Sequence, residues 1–197
     1  MSDLDQAYWD AIYRETPRPG WDMDGPTPVL GELLDLPACR DLGPDLAVPG
    51  CGFGHDAAEL ARRGFRVTAV DFAPSAVQGA RARHGDRVHW LQEDWFALEE
   101  RFDGIFDHTC FVAMAPGRRA GYLAHCARRL RPGGLWMASL FHTVTRPPGP
   151  PFALSMDEAR SLAEVHFGIL HLAPAARSHP RRAGREYLLV GRAPQVG

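Results

Sequence analysis

The run Val48-Pro49-Gly50-Cys51-Gly52-Phe53-Gly54-His55-Asp56 constrains this chain more than any other stretch. Glycines at alternate positions follow a short apolar run, Leu46-Ala47-Val48, and precede a segment with helical patterning. Glycine there lets the backbone turn sharply and lets a ligand approach main-chain N–H groups without meeting a Cβ. A strand, a glycine turn and a helix in that order open a crossover unit. The chain is therefore expected to build a mostly parallel sheet with helices on both faces.

The downstream pattern agrees. Asp56 to Arg63 reads as a helix stopped by Gly64, Arg66–Asp71 as a strand, and Pro74–His84 as a helix that Gly85 can end. Val88–Leu91 and Phe102–Phe106 read as strands. A helix from Pro116 to Arg131, closed by Pro132-Gly133-Gly134, precedes a strand over Leu135–Phe141. A helix over Ser155–His166 is followed by two apolar strands, Gly168–Leu172 and Tyr187–Val190, with the basic stretch Arg177–Arg185 between them. Two strands without a crossover helix are most simply an antiparallel hairpin. Upstream, Tyr8–Tyr13 reads as a short aromatic helix and Thr16–Pro28 is rich in proline and glycine around Trp21. Val29, Leu30, Leu33 and Leu34 then recur at helical spacing. With 197 residues, 45% of them hydrophobic, the chain can bury one sizeable core and hardly two. The expectation is a single α/β domain over residues 1–197: a seven-stranded Rossmann-like sheet with a C-terminal antiparallel pair, and residues 1–36 as a helical cover.

Ligands in such sheets collect at the carboxyl ends of the strands. Gly50, Asp71, Asp94 and Asp107 are all expected there. Asp71 suits the two ribose hydroxyls of an adenosine. Asp94-Trp95-Phe96, an acid followed by aromatics, suits an adenine amino group and its ring. A NAD-binding loop fits some of this, because Gly52 to Ala57 satisfies the loosened GxGxxA fingerprint, and so does a purely structural turn. Against a dinucleotide stand the extra Gly50, the terminal hairpin and Asp56, a carboxylate in the first helical turn where a pyrophosphate would sit. Asp56 would tolerate a ligand bearing an ammonium group. S-adenosylmethionine combines an adenosine with an ammonium and a sulfonium, and aromatic faces attract cations. Trp9, Tyr13, Trp21, Trp95 and Phe96 are the candidate faces, with core or lid packing as the alternative for each tryptophan.

Several separated motifs occur in one order between Trp9 and Arg192. They are Trp9-x-x-x-Tyr13, the run Pro19–Pro28 containing Trp21-Asp22, the glycine loop, Asp71 and Asp94-Trp95-Phe96. Phe102-Asp103-x-Ile105-Phe106-Asp107-His108-Thr109-Cys110-Phe111, Gly149-Pro150-Pro151-Phe152 and Arg182-Ala183-Gly184-Arg185-Glu186 follow. Together they resemble the thiopurine S-methyltransferase superfamily, most closely its plant-type halide and thiol methyltransferase branch. The resemblance implies in-line methyl transfer from S-adenosylmethionine, leaving S-adenosylhomocysteine, to a thiol, hydrosulfide or thiocyanate, halide or chalcogen species. The cofactor contacts it suggests, together with the residue reading above, are Trp9, Tyr13, Trp21, Gly50, Cys51, Gly52, Gly54, Asp56, Asp71, Phe72, Asp94, Trp95, Phe96 and Asp107. The chain departs from the family pattern at His108, where the thiol and halide branches carry tyrosine and the thiopurine branch arginine, and at Tyr13, where tryptophan is usual. His108 is the candidate to take an acceptor's proton, since a neutral imidazole can accept one near pH 7; simply orienting a ligand is the alternative. An oxygen or nitrogen acceptor, or a catalytically silent binding module, remains open.

The formal charge of −2 and the scattered arginines, with no lysine anywhere, give no basic face for a nucleic acid. Cys39, Cys51, Cys110 and Cys126 show no CxxC spacing, and the other histidines share no metal-ligand spacing, so no metal is expected. No apolar stretch is long enough for a bilayer, and Met1 to Asp5 does not read as a secretory signal. A cytoplasmic monomer or homodimer acting on a small-molecule methyl acceptor is the expectation. The Arg177–Arg185 loop reads as solvated, with the alternative that Arg182 or Arg185 closes over the site to meet an anionic acceptor. Pro147 to Pro151 reads as a lid edge or a rigid connection, and Cys51 as packing.

Overall fold

A computed structural model describes residues 4–145 and 149–195. The strands are β1 (Asp45–Pro49), β2 (Arg66–Asp71), β3 (His89–Gln92), β4 (Phe102–His108), β5 (Leu130–Phe141), β6 (Gly168–Pro174) and β7 (Glu186–Arg192). They form one sheet in the order β3-β2-β1-β4-β5-β7-β6. The first five are parallel, and β7 runs antiparallel to both β5 and β6. The mostly parallel sheet with a terminal hairpin is therefore as expected. After β1 the chain steps outward to β2 and β3, then returns to the other side of β1 for β4. The crevice at this reversal is where an open α/β sheet offers a binding site.

Side chains alternate across each strand, so two apolar layers flank the sheet. Ala47, Ile105, Trp136 and Ala138 point into one layer, with Phe111, Tyr122 and Leu123. Leu46, Val48, Ala69, Phe106 and Met137 point into the other, with Val29, Leu30, Leu33 and Leu60. The helices supply those partners: α1 (Gln6–Glu15), α2 (Pro28–Asp35), α3 (His55–Arg62), α4 (Pro74–His84), α5 (Cys110–Ala113), α6 (Arg119–Arg129) and α7 (Met156–Ala163). Their ends follow local chemistry. Asp5 caps α1 by accepting from the Tyr8 amide at 2.9 Å. Pro28 and Pro74 occupy first helical positions, where the missing N–H costs nothing. Ser155 and Glu158 close a reciprocal capping box on α7.

The chain between Pro116 and Leu135 departs from the expectation of one helix followed by a strand. A 3-10 turn over Pro116–Arg118 leads into α6, and β5 already begins at Leu130. Pro132-Gly133-Gly134 lies inside β5 as an irregularity: Phe102 pairs with Leu130, but Gly104 pairs with Leu135. Proline has no N–H for the ladder and Gly133 takes a φ of 76°, so the strand bulges there without ending. The helix expected over Ser155–His166 is shorter, Met156–Ala163, and the short helix α5 carried no sequence signal of its own. Pro147 and Pro148 of the expected lid edge, like Met1 to Asp3, lie outside the described residues. Among the described residues no helix is long and apolar enough to cross a membrane.

The amino-terminal segment lies over the crevice. Asp10 accepts from the Ser75 amide at 2.8 Å and Gln6 donates to the Phe72 carbonyl at 2.6 Å, which ties α1 to the start of α4. From the opposite side, the β6–β7 loop binds α2. The Ala176 and Arg177 amides donate to the two oxygens of Glu32 at 2.9 and 2.6 Å, and Arg177 pairs with Asp35.

Candidate active site

A cavity of about 690 Å³ opens at the carboxyl ends of β1, β2, β4 and β5. Its floor on one side is the glycine loop. Gly50, Gly52 and Gly54 have φ of 58°, 54° and 80°, which side-chain-bearing residues rarely adopt. Their reasons differ. A Cβ on Gly54 would lie 2.4 Å from the Trp90 ring, so that glycine lets α3 pack against the sheet. A Cβ on Gly50 would meet the Cys110 sulfur at 2.9 Å, and one on Gly52 the Tyr13 hydroxyl at 2.9 Å.

Asp71 fixes the loop. Its Oδ2 accepts from the Gly52 amide at 2.9 Å and its Oδ1 from the Ala73 amide at 3.0 Å. Burial raises the Asp71 carboxyl to about 6, against the pull of those two amides. Each oxygen keeps lone-pair capacity for a ligand hydroxyl. The roof is aromatic. Trp9 and Tyr13 meet Trp21 edge-on at centroid distances of 5.4 and 5.7 Å, and Tyr13 meets Phe53 at 5.1 Å. Cys51 and Phe72 also line the cavity. Burial, then Asp71, pushes the Cys51 thiol well up, so it stays neutral and serves as packing. A floor without side chains, an acid at the tip of β2 and an indole roof fit an adenosyl sulfonium.

The other side of the cavity is a knot of charged groups. His108 ends β4, and its Nδ1 lies 2.8 Å from Asp56 Oδ2. The second oxygen of Asp56 accepts from the Thr27 amide at 2.6 Å. Asp56 thus joins the cover, the start of α3 and the end of β4, and its oxygens are engaged within the protein instead of awaiting an ammonium ion. The His108 Nε2 contacts Arg182 Nη1, and Arg182 Nη2 donates to the Trp21 carbonyl at 2.8 Å. Glu186, 2% exposed, has its Oε1 3.5 Å from Arg182 and 3.8 Å from His108 Nε2. Burial by itself would lower the His108 pKa, but Asp56 and then Glu186 outweigh it and hold it raised. Apolar residues, among them Ala113, Phe141, Val144, Pro150 and Pro151, complete this side.

Of the residues singled out from sequence, Trp9, Tyr13, Trp21, Gly50, Cys51, Gly52, Gly54, Asp56, Asp71, Phe72 and His108 converge on the cavity. Asp94, Trp95, Phe96 and Asp107 lie outside its lining. Asp94 is exposed and caps a 3-10 turn by accepting from the Phe96 amide at 3.0 Å. That turn rolls Trp95 into the core against Phe102 and His125, and Phe96 toward Tyr122. Asp107 is fully buried and accepts from the Tyr122 hydroxyl at 2.6 Å and the Phe111 amide at 3.1 Å, so it anchors α5. The solvated reading of the arginine loop is corrected at one position: Arg182 is 5% exposed and inside the site, while Arg181 stays exposed. Arg182 was read from sequence as an alternative residue closing over the site, and Glu186 was visible only as a member of a matched motif. Their pairing with residues 74 and more positions away carries no local signature.

The sequence pattern of the family described as Thiopurine S-methyltransferase (TPMT) matches residues 4–186. A probable thiol methyltransferase 2 of Arabidopsis thaliana is 33% identical over 168 residues, covering 80% of this chain and 72% of that protein. Thiocyanate methyltransferase 1 of the same plant is 28% identical over 196 residues, covering 94% and 84%. A solved structure from work on the conversion of a disulfide bond into a thioacetal group during echinomycin biosynthesis superposes with a TM-score of 0.81. It shares 22% identity and covers 98% of this chain and 93% of its own.

Proposed function

The chain belongs to the thiopurine S-methyltransferase family and is an S-adenosylmethionine-dependent methyltransferase, and from that premise we propose that its acceptor is a small soft nucleophile: a thiol, hydrosulfide or thiocyanate, a halide or a chalcogen species. The observation that carries this reading is the His108–Asp56 pair, 2.8 Å apart, at the cavity wall beside the glycine loop. Asp56 accepts from Nδ1–H, which leaves the Nε2 lone pair as the basic site of the ring.

S-adenosylmethionine brings a methyl group already activated by its sulfonium, so the chain's own task is alignment and exclusion of water. Holding two reactants in line is worth roughly 7–11 kcal/mol of a barrier. Asp71 and the amides of the glycine loop are placed to receive the adenosyl moiety, and Trp9, Tyr13 and Trp21 to exclude solvent above it. Gly50 and Gly52 keep the floor open. Ala113, Phe141, Val144 and Pro151 give the acceptor an apolar seat, which suits a polarisable sulfur better than a strongly hydrated oxyanion. A thiol reacts as its thiolate, and His108 is placed to take its proton.

Isothermal titration with S-adenosylhomocysteine tests the donor site. Headspace gas chromatography after incubation with S-adenosylmethionine and iodide, hydrosulfide or methanethiol tests the acceptor. Methyl iodide, methanethiol or dimethyl sulfide above the enzyme-free background is the expected result. Tight S-adenosylhomocysteine binding with no product from any of the three would overturn the soft-nucleophile reading.

A further inference from the structure

We infer that Glu186 and Arg182 act together on His108 and fit the site to acceptors that arrive with a proton to lose, uncharged thiols or acidic hydroxyls, in preference to bare halide or thiocyanate ions. This rests on the methyltransferase reading above. His108 spends Nδ1 on Asp56, so Nε2 is the nitrogen that can meet an acceptor. Arg182 Nη1 sits on it. A guanidinium has donors only, so Nε2 must present its lone pair there. The contact by itself therefore favours the neutral ring, in the tautomer able to accept a proton, while Asp56 and Glu186 pull the other way and raise its proton affinity.

Arg182 has somewhere else to go. Glu186 Oε2 is buried and makes no hydrogen bond of ordinary length, although the Ser178 hydroxyl helps hold the carboxyl's pKa down, while Oε1 receives Ser139 Oγ at 3.3 Å and lies 3.5 Å from Arg182. A buried carboxylate oxygen left empty is costly. A guanidinium displaced from Nε2 by the acceptor would fill it and pair in forked geometry. With neutral His108 the knot of Asp56, Glu186 and Arg182 carries one net negative charge, and a proton on Nε2 brings it to zero. Were Glu186 absent, the same proton would create an imidazolium beside a guanidinium with Asp56 alone to offset both. Other groups around His108 are Asp107, turned to Tyr122 on the far side, the neutral thiol of Cys110, and Arg181 and Arg185 on the loop.

In the reaction the acceptor's S–H or O–H proton passes to Nε2 and its lone pair forms the bond to the methyl carbon. The old carbon–sulfur bond breaks with its pair left on the donor sulfur, and the imidazolium returns its proton to water after release. A halide or thiocyanate ion has no proton to give and makes no use of this arrangement. Glu186 is thus a positioning residue: it acts through His108 and Arg182.

NMR titration of isotope-labelled histidine in the S-adenosylhomocysteine complex reads His108 directly. Glu186→Gln is expected to lower its midpoint, and Arg182→Gln to raise it, each by about one pH unit, a tenfold change in proton affinity. General loss of packing would not shift the two variants in opposite directions. The pH profile of kcat/KM with benzyl mercaptan should move its acidic limb the same ways. On the plateau above the acidic limb, the ratio of benzyl mercaptan to iodide turnover in Glu186→Gln should fall, by no more than about tenfold, since only the thiol must lose a proton and the base is weaker. Midpoints that stay put or move together, or an unchanged ratio, would overturn the inference. Wild-type protein that fails to bind S-adenosylhomocysteine would instead sink the methyltransferase reading, and His108 midpoints measured without ligand would still decide the charge pairing.

Discussion

The two sides of the cavity are built by different means. The β1–β2 side is held by main-chain groups: the Cys51 amide bonds the Val70 carbonyl at 3.1 Å, and the Gly52 and Ala73 amides converge on one carboxylate. The β4–β7 side is held by side chains from four places, Asp56, His108, Arg182 and Glu186, three of them ionised. A main-chain cradle is rigid and has no titrating group but Asp71. A knot of charged side chains has two arrangements within reach and responds to protons. The first suits a ligand of fixed shape that every turnover shares, and the second a step in which a proton moves.

The sharpest way to break the contrast is Gly52→Val. A φ of 54° is nearly closed to a β-branched residue, and its side chain would strike the Tyr13 hydroxyl. S-adenosylhomocysteine affinity should fall at least about 100-fold by calorimetry, with little change at the His108 side. His108→Gln is the converse. Benzyl mercaptan turnover at pH 7 should drop by about 10²- to 10⁴-fold while S-adenosylhomocysteine affinity changes less than about threefold. A comparable loss of affinity would mean that His108 serves the donor side.

Acid separates the sides by less. Asp71 titrates near 6, and its charged form is the one that accepts from amides and from ligand hydroxyls. Lowering pH through that value protonates it, so S-adenosylhomocysteine affinity should decline below pH 6, by up to about tenfold per unit. Affinity constant down to pH 5 would remove Asp71 from ligand binding. The smallest effect is expected at Arg181, which is exposed and donates to the Gly20 carbonyl at 3.2 Å. Arg181→Ala should alter KM for either substrate by no more than about twofold, because an exposed hydrogen bond trades with water.

The same contrast decides what could be read from the chain alone. Gly50-x-Gly52-x-Gly54 and Asp71 are local: a strand, a turn of defined φ and the next strand's tip fix one another within about two dozen residues. The parallel sheet and the terminal hairpin followed from alternation and from one missing crossover helix, whereas the order of the strands came only with the structure. The charged knot was half legible. His108 stood out as a departure from the family pattern, but its partners are 52 and 74 positions away, and only folding shows which charges meet. The orientation of Asp94-Trp95-Phe96 was illegible for a related reason. Sequence set the segment at a strand's end, but a 3-10 turn decided which way its rings face. Pro132-Gly133-Gly134 looked like a stop because its residues resist regular structure, and long strands can absorb such a triplet as a bulge.

Glu32 gathers the Ala176 and Arg177 amides, and this fastens one edge of the roof. The stretch from Thr16 to Thr27 is fastened differently, by Asp56 to the Thr27 amide, by Arg181 to the Gly20 carbonyl and by Arg182 to the Trp21 carbonyl. Glu32 therefore anchors the arginine loop to a helix of the core, and the loop in turn holds the cover, so that loosening Glu32 would slacken residues it never touches.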